Sequence, residues 1–98
     1  MISDLLLKCT GFEWDRHNSE NIKARHNVTP VECEQVFFNR PLILRRYGKH
    51  PEMESRFYVL GHTDLRRLLF VVFTIRGDKI RIISARNMTL REEQRYKE

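Results

Sequence analysis

Arg67-Leu68-Leu69-Phe70-Val71-Val72-Phe73-Thr74-Ile75-Arg76, then Gly77-Asp78, then Lys79-Ile80-Arg81-Ile82-Ile83-Ser84-Ala85-Arg86 is the stretch that decides the fold. The unbroken apolar run Leu68 to Phe73 marks a central strand covered on both faces. Gly77-Asp78 has the composition of a two-residue type II′ turn, glycine first, so the flanking segments pair as an antiparallel hairpin. With that turn Arg76 lies opposite Lys79. Continuing the pairing outward puts Leu69 opposite Arg86 and Val71 opposite Ser84. Side chains alternate along a strand, so Arg67 is expected to share a face with Leu69 and hence with Arg86. Diagonal neighbours lie roughly 7 to 8 Å apart, close enough for two guanidinium groups to hold one phosphate. The other face gathers Thr74, Arg76, Lys79 and Arg81 near the turn. That second basic patch reads equally as a track for an RNA backbone and as exposed solubilising charge.

Working outward, Gly11-Phe12-Glu13-Trp14 reads as a short strand, and Asp15 caps a helix over Arg16 to His26. Thr29-Pro30-Val31-Glu32 carries a capping box with proline at the first helical position, which opens a second helix toward Asn39. Pro41 to Leu44 and Arg56 to Leu60 read as strands separated by a polar loop over Arg45 to Ser55. Gly61-His62-Thr63-Asp64 closes the second of these strands. Thr89-Leu90-Arg91-Glu92 repeats the capping box and starts a last helix running to about Lys97. The expected fold is α+β: a small antiparallel sheet with two N-terminal helices and one C-terminal helix. Met1 to Thr10 form an N-terminal tail, and residues 11–98 form one domain, as suits a chain of 98 residues.

Composition narrows the function. Hydrophobic residues at 41 % and charged residues at 32 % fill a small core and exclude a disordered chain. No apolar run approaches the about 20 residues that span a bilayer, and the N-terminus makes a poor signal peptide, so no membrane role and a cytoplasmic location are expected. Cys9 and Cys33 lack metal-ligand spacing, which argues for free thiols and against a zinc site or a disulfide framework. The net charge of +5 is uneven: residues 1–55 hold 8 basic and 8 acidic side chains, residues 56–98 hold 10 and 5. Thirteen of the 18 basic residues are arginines, whose planar fork recognises phosphate bidentately. A polyanionic partner follows from this balance.

Several motifs together resemble the BrnT family of type II toxins. They are Phe12-Glu13-Trp14-Asp15, Arg25-His26-x-Val28-Thr29, Val36-Phe37, Gly61-x-Thr63, the segment Arg67 to Thr74 with Arg76, Ile80-Arg81-x-Ile83-Ser84-Ala85-Arg86, and Arg95-Tyr96. The resemblance implies a RelE-like fold and a ribonuclease that uses no metal or other cofactor. It further implies inhibition of translation, a cognate BrnA-type antitoxin, and operator DNA reached only through that antitoxin. Ile22, Arg25 and Asn27 depart from residues common in the family, and Met1 to Thr10 extend the usual start.

Metal-free cleavage of RNA requires the ribose 2′-hydroxyl to attack its own phosphate while pre-placed cations stabilise the growing charge. Arg67 and Arg86 are the expected phosphate clamp. His26 is the candidate general acid or base, histidine being the side chain that titrates nearest neutrality, although a histidine at a helix end equally caps carbonyls. By resemblance, Tyr96 orients the substrate or moves a proton, with helix packing as its alternative role. Lys23, Arg25, Arg56, Arg76 and Arg81 are the expected RNA-binding cations. His17, His50 and His62 read as surface residues, and Trp14 as core packing. A non-catalytic basic module that binds nucleic acid or docks a partner is the competing reading.

Overall fold

The structure is a computed structural model and describes residues 6–48 and 55–98. Met1 to Leu5, and the middle of the polar loop with His50, lie outside those residues. Its elements are β1 (Gly11–Glu13), α1 (Arg16–His26), α2 (Pro30–Val36), β2 (Ile43–Arg46), β3 (Phe57–His62), β4 (Leu68–Arg76), β5 (Lys79–Asn87) and α3 (Leu90–Tyr96). One five-stranded sheet has the order β1-β5-β4-β3-β2. It is antiparallel except at β1, which runs parallel to β5.

Capping chemistry sets the helix starts. Asp15 Oδ1 accepts from the backbone N–H groups of His17 and Asn18 at 2.8 and 3.3 Å, filling donors that the first turn leaves open. Both threonine capping boxes form, Thr29 with Glu32 and Thr89 with Glu92. The second helix stops at Val36, before Asn39, and β2 begins two residues later than Pro41. Strand β3 continues through Gly61 and His62, where a turn was expected. Gly61 allows this: a Cβ there would meet Val36 Cβ and Leu42 Cδ1 at 3.1 Å, so only glycine lets α2 approach this closely. At the hairpin, Gly77 has φ of +60° and Arg76 pairs with Lys79, as the turn chemistry requires.

The sheet separates two cores. Alternate residues of β3, β4 and β5, among them Val59, Leu69, Val71, Phe73 and Ile82, pack under α1 and α2 with Ile22, Val28, Cys33 and Val36. The opposite face carries Leu60, Phe70 and Val72, and α3 covers one end of it with Tyr96. Trp14 packs against the first core and donates its indole N–H to Glu34 at 2.8 Å. Of the tail, Leu6 and Cys9 also pack there, while Leu7 is exposed.

Cys33 is fully buried, and burial pushes its thiol up to about 12. Only the thiolate is reactive, so Cys33 is expected to resist a thiol reagent such as DTNB until the protein unfolds. Reaction rates followed through a denaturant series check this; rapid labelling of Cys33 in native protein would contradict the packing described.

Candidate RNA-facing site

The expected arginine clamp does not form. Near the turn the hairpin register is as predicted, with Thr74 opposite Arg81 and Phe73 opposite Ile82. Between Val72 and Phe73 the register shifts, and beyond it Val72 faces Ser84, Val71 faces Ala85 and Phe70 faces Arg86. A bulge adds one residue to β5, and a one-residue slip turns every later side chain to the other face. Arg86 therefore lies on the α3 face with Phe70, while Arg67 lies with Leu69 and Asn87 under α1 and α2. The two guanidinium groups are back to back across the sheet, and no single phosphate bridges them.

Each arginine instead meets the glutamate of a capping box. Arg67 Nη1 lies 3.1 Å from Glu32 Oε2, donates to the carbonyl of Asn27 at 2.8 Å, and Nη2 donates to the carbonyl of His26 at 3.1 Å. Its Nε donates to Asn87 Oδ1 at 2.8 Å. The guanidinium thus pins the end of α1, the start of α2 and the end of β5 together. Burial pushes Glu32 upward, but the Thr29 N–H and the Arg67 guanidinium outweigh it and hold the carboxyl below its ordinary value. The resulting corner is a structural joint in which all three guanidinium nitrogens of Arg67 donate to the protein.

On the other face, Arg86 grips Glu92 with its two terminal nitrogens, Nη1 and Nη2, at 2.7 and 3.0 Å. The guanidinium carbon sits 4.1 Å over the Phe70 ring, a cation–π contact. Phe70 stacks with Tyr58 at 5.0 Å between ring centres, and Tyr47 packs edge-on to both at 5.9 and 6.1 Å. Tyr47 remains 46 % exposed, so this cluster presents an aromatic surface to solvent. The hydrogen bond from Arg86 holds Glu92 below its ordinary carboxyl value, and the same bond raises Arg86. Cross-strand pairing puts Arg45 beside Tyr58 on this face, and Arg76 beside Lys79 toward the turn.

The remaining sequence-derived candidates divide between the faces. Lys23 and Arg25 are exposed on α1, where Lys23 Nζ donates to Asn27 Oδ1 at 2.8 Å. His26 is exposed at the end of the same helix, and its backbone carbonyl, not its ring, meets Arg67. Arg56 is partly buried, and its Nε is enclosed without a hydrogen-bond partner among the described residues. Arg81 is held by Glu13 at 2.7 Å and Asp15 at 2.9 Å, so its charge ties β1 and the α1 cap to β5. Tyr96 joins the α3 face, buried, with its hydroxyl 2.6 Å from the carbonyl of Pro41. Sequence reasoning passed over His62. Its Nδ1 is 2.8 Å from the Tyr96 hydroxyl, a contact across 34 residues that no local motif announces.

The two depressed glutamates fix the sign of acid sensitivity. A group whose carboxyl titrates lower in the folded state stabilises the fold above its unfolded value and loses that contribution as pH falls through the folded one. Stability is expected to drop below the ordinary glutamate value of 4.5, and less steeply in Glu92→Gln. Denaturant midpoints measured from pH 6 to pH 3 check this; parallel profiles for the two proteins would contradict it.

Comparison with known proteins decides the family. A family model described as the ribonuclease toxin BrnT of type II toxin-antitoxin systems matches residues 14–92. The chain belongs to the BrnT family. A search of solved structures finds the Brucella abortus ribonuclease toxin BrnT, with a TM-score of 0.59 at 16 % identity. That alignment covers 82 % of this chain and 97 % of the Brucella one, so the two share a fold. No curated protein matches the chain. BrnT membership makes the chain a ribonuclease toxin of a type II toxin-antitoxin system, with a protein antitoxin as partner. Among the described residues no group of three or more His, Cys, Asp or Glu side chains is placed to hold a metal ion, and no helix is long and apolar enough to cross a membrane.

Proposed function

We propose that this BrnT family member cuts RNA without a metal ion, by attack of a ribose 2′-hydroxyl on the adjacent phosphate, with the strand lying across the α3 face. The observation that carries this reading is Arg86 seated over Phe70 beside the exposed Tyr47 and the stacked Tyr58. Aromatic surfaces stack bases of any identity, and arginine adds charge for the backbone, the pairing used by proteins that bind single strands. Arg45 and Arg76 extend the positive face. Arg86 anchors a phosphate of the bound strand; Glu92 fixes its fork in place, which lowers the cost of ordering it on binding. Arg67 and His26 belong to the opposite side and take no part in contacting this strand.

The sequence resemblance supports the wider setting: a RelE-like toxin in the cytoplasm that blocks translation, neutralised by a BrnA-type antitoxin, with operator DNA reached through that antitoxin. Purified protein in EDTA is expected to cleave RNA to products ending in 2′,3′-cyclic phosphate, and a 2′-O-methyl group at the cut site is expected to stop the reaction. RNA binding with no cleavage under these conditions would favour the non-catalytic binding module instead.

A further inference from the structure

A second cluster lies where α3 meets the ends of β3 and β4. Pro41, His62, Arg66, Leu68, Tyr96 and Lys97 line an open cavity of about 590 Å³, with Glu98 at its edge. Within it the hydrogen bonds assign a tautomer. The Pro41 carbonyl can only accept, so at 2.6 Å it takes the one proton of the Tyr96 hydroxyl. The Tyr96 oxygen must then accept from His62 Nδ1 at 2.8 Å. Neutral imidazole carries a single N–H, so His62 Nε2 is left with a free lone pair. Burial pushes the Tyr96 hydroxyl upward against the pull of the Arg66 cation, so the phenol stays protonated and keeps this order.

The backbone brings the cations. Arg66 has φ of +71°, a left-handed conformation uncommon for arginine, inside a turn closed by three hydrogen bonds. Arg66 N–H donates to the Thr63 carbonyl at 2.9 Å, Thr63 N–H to the Arg67 carbonyl at 2.9 Å, and Arg67 N–H to Thr63 Oγ1 at 3.0 Å. This turn sends Arg67 to its joint with Glu32 on one face and Arg66 to the cavity on the other. A lone-pair nitrogen beside two cations is the set that 2′-hydroxyl attack needs: a base for one proton and charge to stabilise the phosphorane.

We propose that His62 is the catalytic base of this toxin, with Tyr96 as its positioning residue and Arg66 and Lys97 holding the scissile phosphate. The inference rests on the ribonuclease reading above. His62 Nε2 takes the 2′-hydroxyl proton as the 2′ oxygen bonds to phosphorus. The bond from phosphorus to the 5′ oxygen breaks, the leaving oxygen takes a proton from water, and the imidazolium returns its own to solvent. The products are a 2′,3′-cyclic phosphate and a free 5′-hydroxyl, and no other reactant is consumed.

The test compares the wild-type chain with His62→Gln and Tyr96→Phe on one RNA, with a 2′-O-methyl copy of it as a binding probe. His62→Gln is expected to lower kcat about 10²- to 10³-fold and to leave affinity for the 2′-O-methyl RNA unchanged. The acid-side fall of the pH–rate profile is expected to vanish with it. The ionisable groups that line the cavity with the ring are Tyr96, Lys97 and Glu98 from α3 and its end and Arg66 from the turn, so that limb is read against a profile they share. Tyr96→Phe keeps the imidazole and is expected to cost roughly 10-fold in kcat, with the acid limb moved. Imidazole nitrogen NMR of the folded wild type is expected to show the Nδ1–H form. If wild type cleaves RNA and His62→Gln matches its kcat, or if the ring is Nε2–H, the assignment of His62 is wrong while the ribonuclease reading stands. If wild type cleaves nothing, both fall together.

Discussion

Arg86→Ala is expected to lower kcat/KM for RNA cleavage by about 10- to 150-fold, the worth of a charge-assisted hydrogen bond of about 1.5 to 3 kcal/mol. The loss falls on binding, because Arg86 anchors the strand and the proton-transfer groups lie elsewhere. The fold is expected to survive the change. The Glu92 carboxylate keeps the bond it accepts from the Thr89 backbone N–H in the capping box, so it is not left unpaired. Removing the guanidinium also uncovers the Phe70 ring, which costs about 1 kcal/mol of cation–π contact. Steady-state kinetics beside a thermal melt separate the two effects. An Arg86→Ala protein that folds and cleaves RNA with undiminished kcat/KM would contradict the placement of the strand on the α3 face.

Arg67→Ala is expected to do the reverse. The side chain makes five hydrogen bonds to three segments, to Asn87, to the carbonyls of His26 and Asn27, and twice to Glu32. Its loss leaves the partly buried Glu32 carboxylate without its cation and two carbonyls without their donor. Glu32 keeps its bonds from the Thr29 N–H and hydroxyl, so losing the shared donor of these partly exposed groups costs about 1 to 3 kcal/mol, which for about 100 residues is a melting temperature lower by roughly 4 °C or more. That is a large share of the whole stability of a domain this size. Cleavage per folded molecule is expected to stay within about twofold of wild type once the folded fraction is corrected for, since roughly 0.4 kcal/mol is the scale of an indirect effect. A stable but inactive Arg67→Ala would restore this arginine to the chemistry.

This division of labour explains which parts of the molecule were legible in the sequence. The capping boxes at Thr29 and Thr89, the Asp15 cap and the Gly77-Asp78 turn are local devices, satisfied within three or four residues, and the structure has all of them. The central position of β4 follows from its unbroken apolar run. The bulge left only a faint trace: Ile80 and Ile82 alternate, and Ala85 resumes the alternation one residue out of phase, with Ile83 between. Because Ile83 and Ala85 also alternate, the pattern hid the slip, and the slip moved Arg86 across the sheet. Long-range partners were not legible at all. Nothing near Glu32 or Glu92 says that each capping carboxylate also receives an arginine from another element, and His62 has no sequence neighbour that signals Tyr96.

The paired glutamates also show how one residue serves fold and site together. In each capping box the carboxylate closes a helix N-terminus and orients an arginine, yet one arginine is turned into a joint and the other toward an exposed aromatic surface. The difference lies in the other partners: Arg67 also donates to the carbonyls that end α1 and to Asn87, whereas Arg86 lies over the Phe70 ring.

The most direct measurement is an NMR titration of the labelled chain with a short 2′-O-methyl RNA, which binds and is not cut. Shifts confined to the α3 face, at Arg45, Tyr47, Tyr58, His62, Arg66, Arg76, Arg86 and the α3 residues through Lys97, with Lys23, Arg25, His26 and Arg67 unmoved, are the predicted result. Shifts centred on the α1 and α2 side would place the strand on the wrong face of the sheet for everything argued from Arg86.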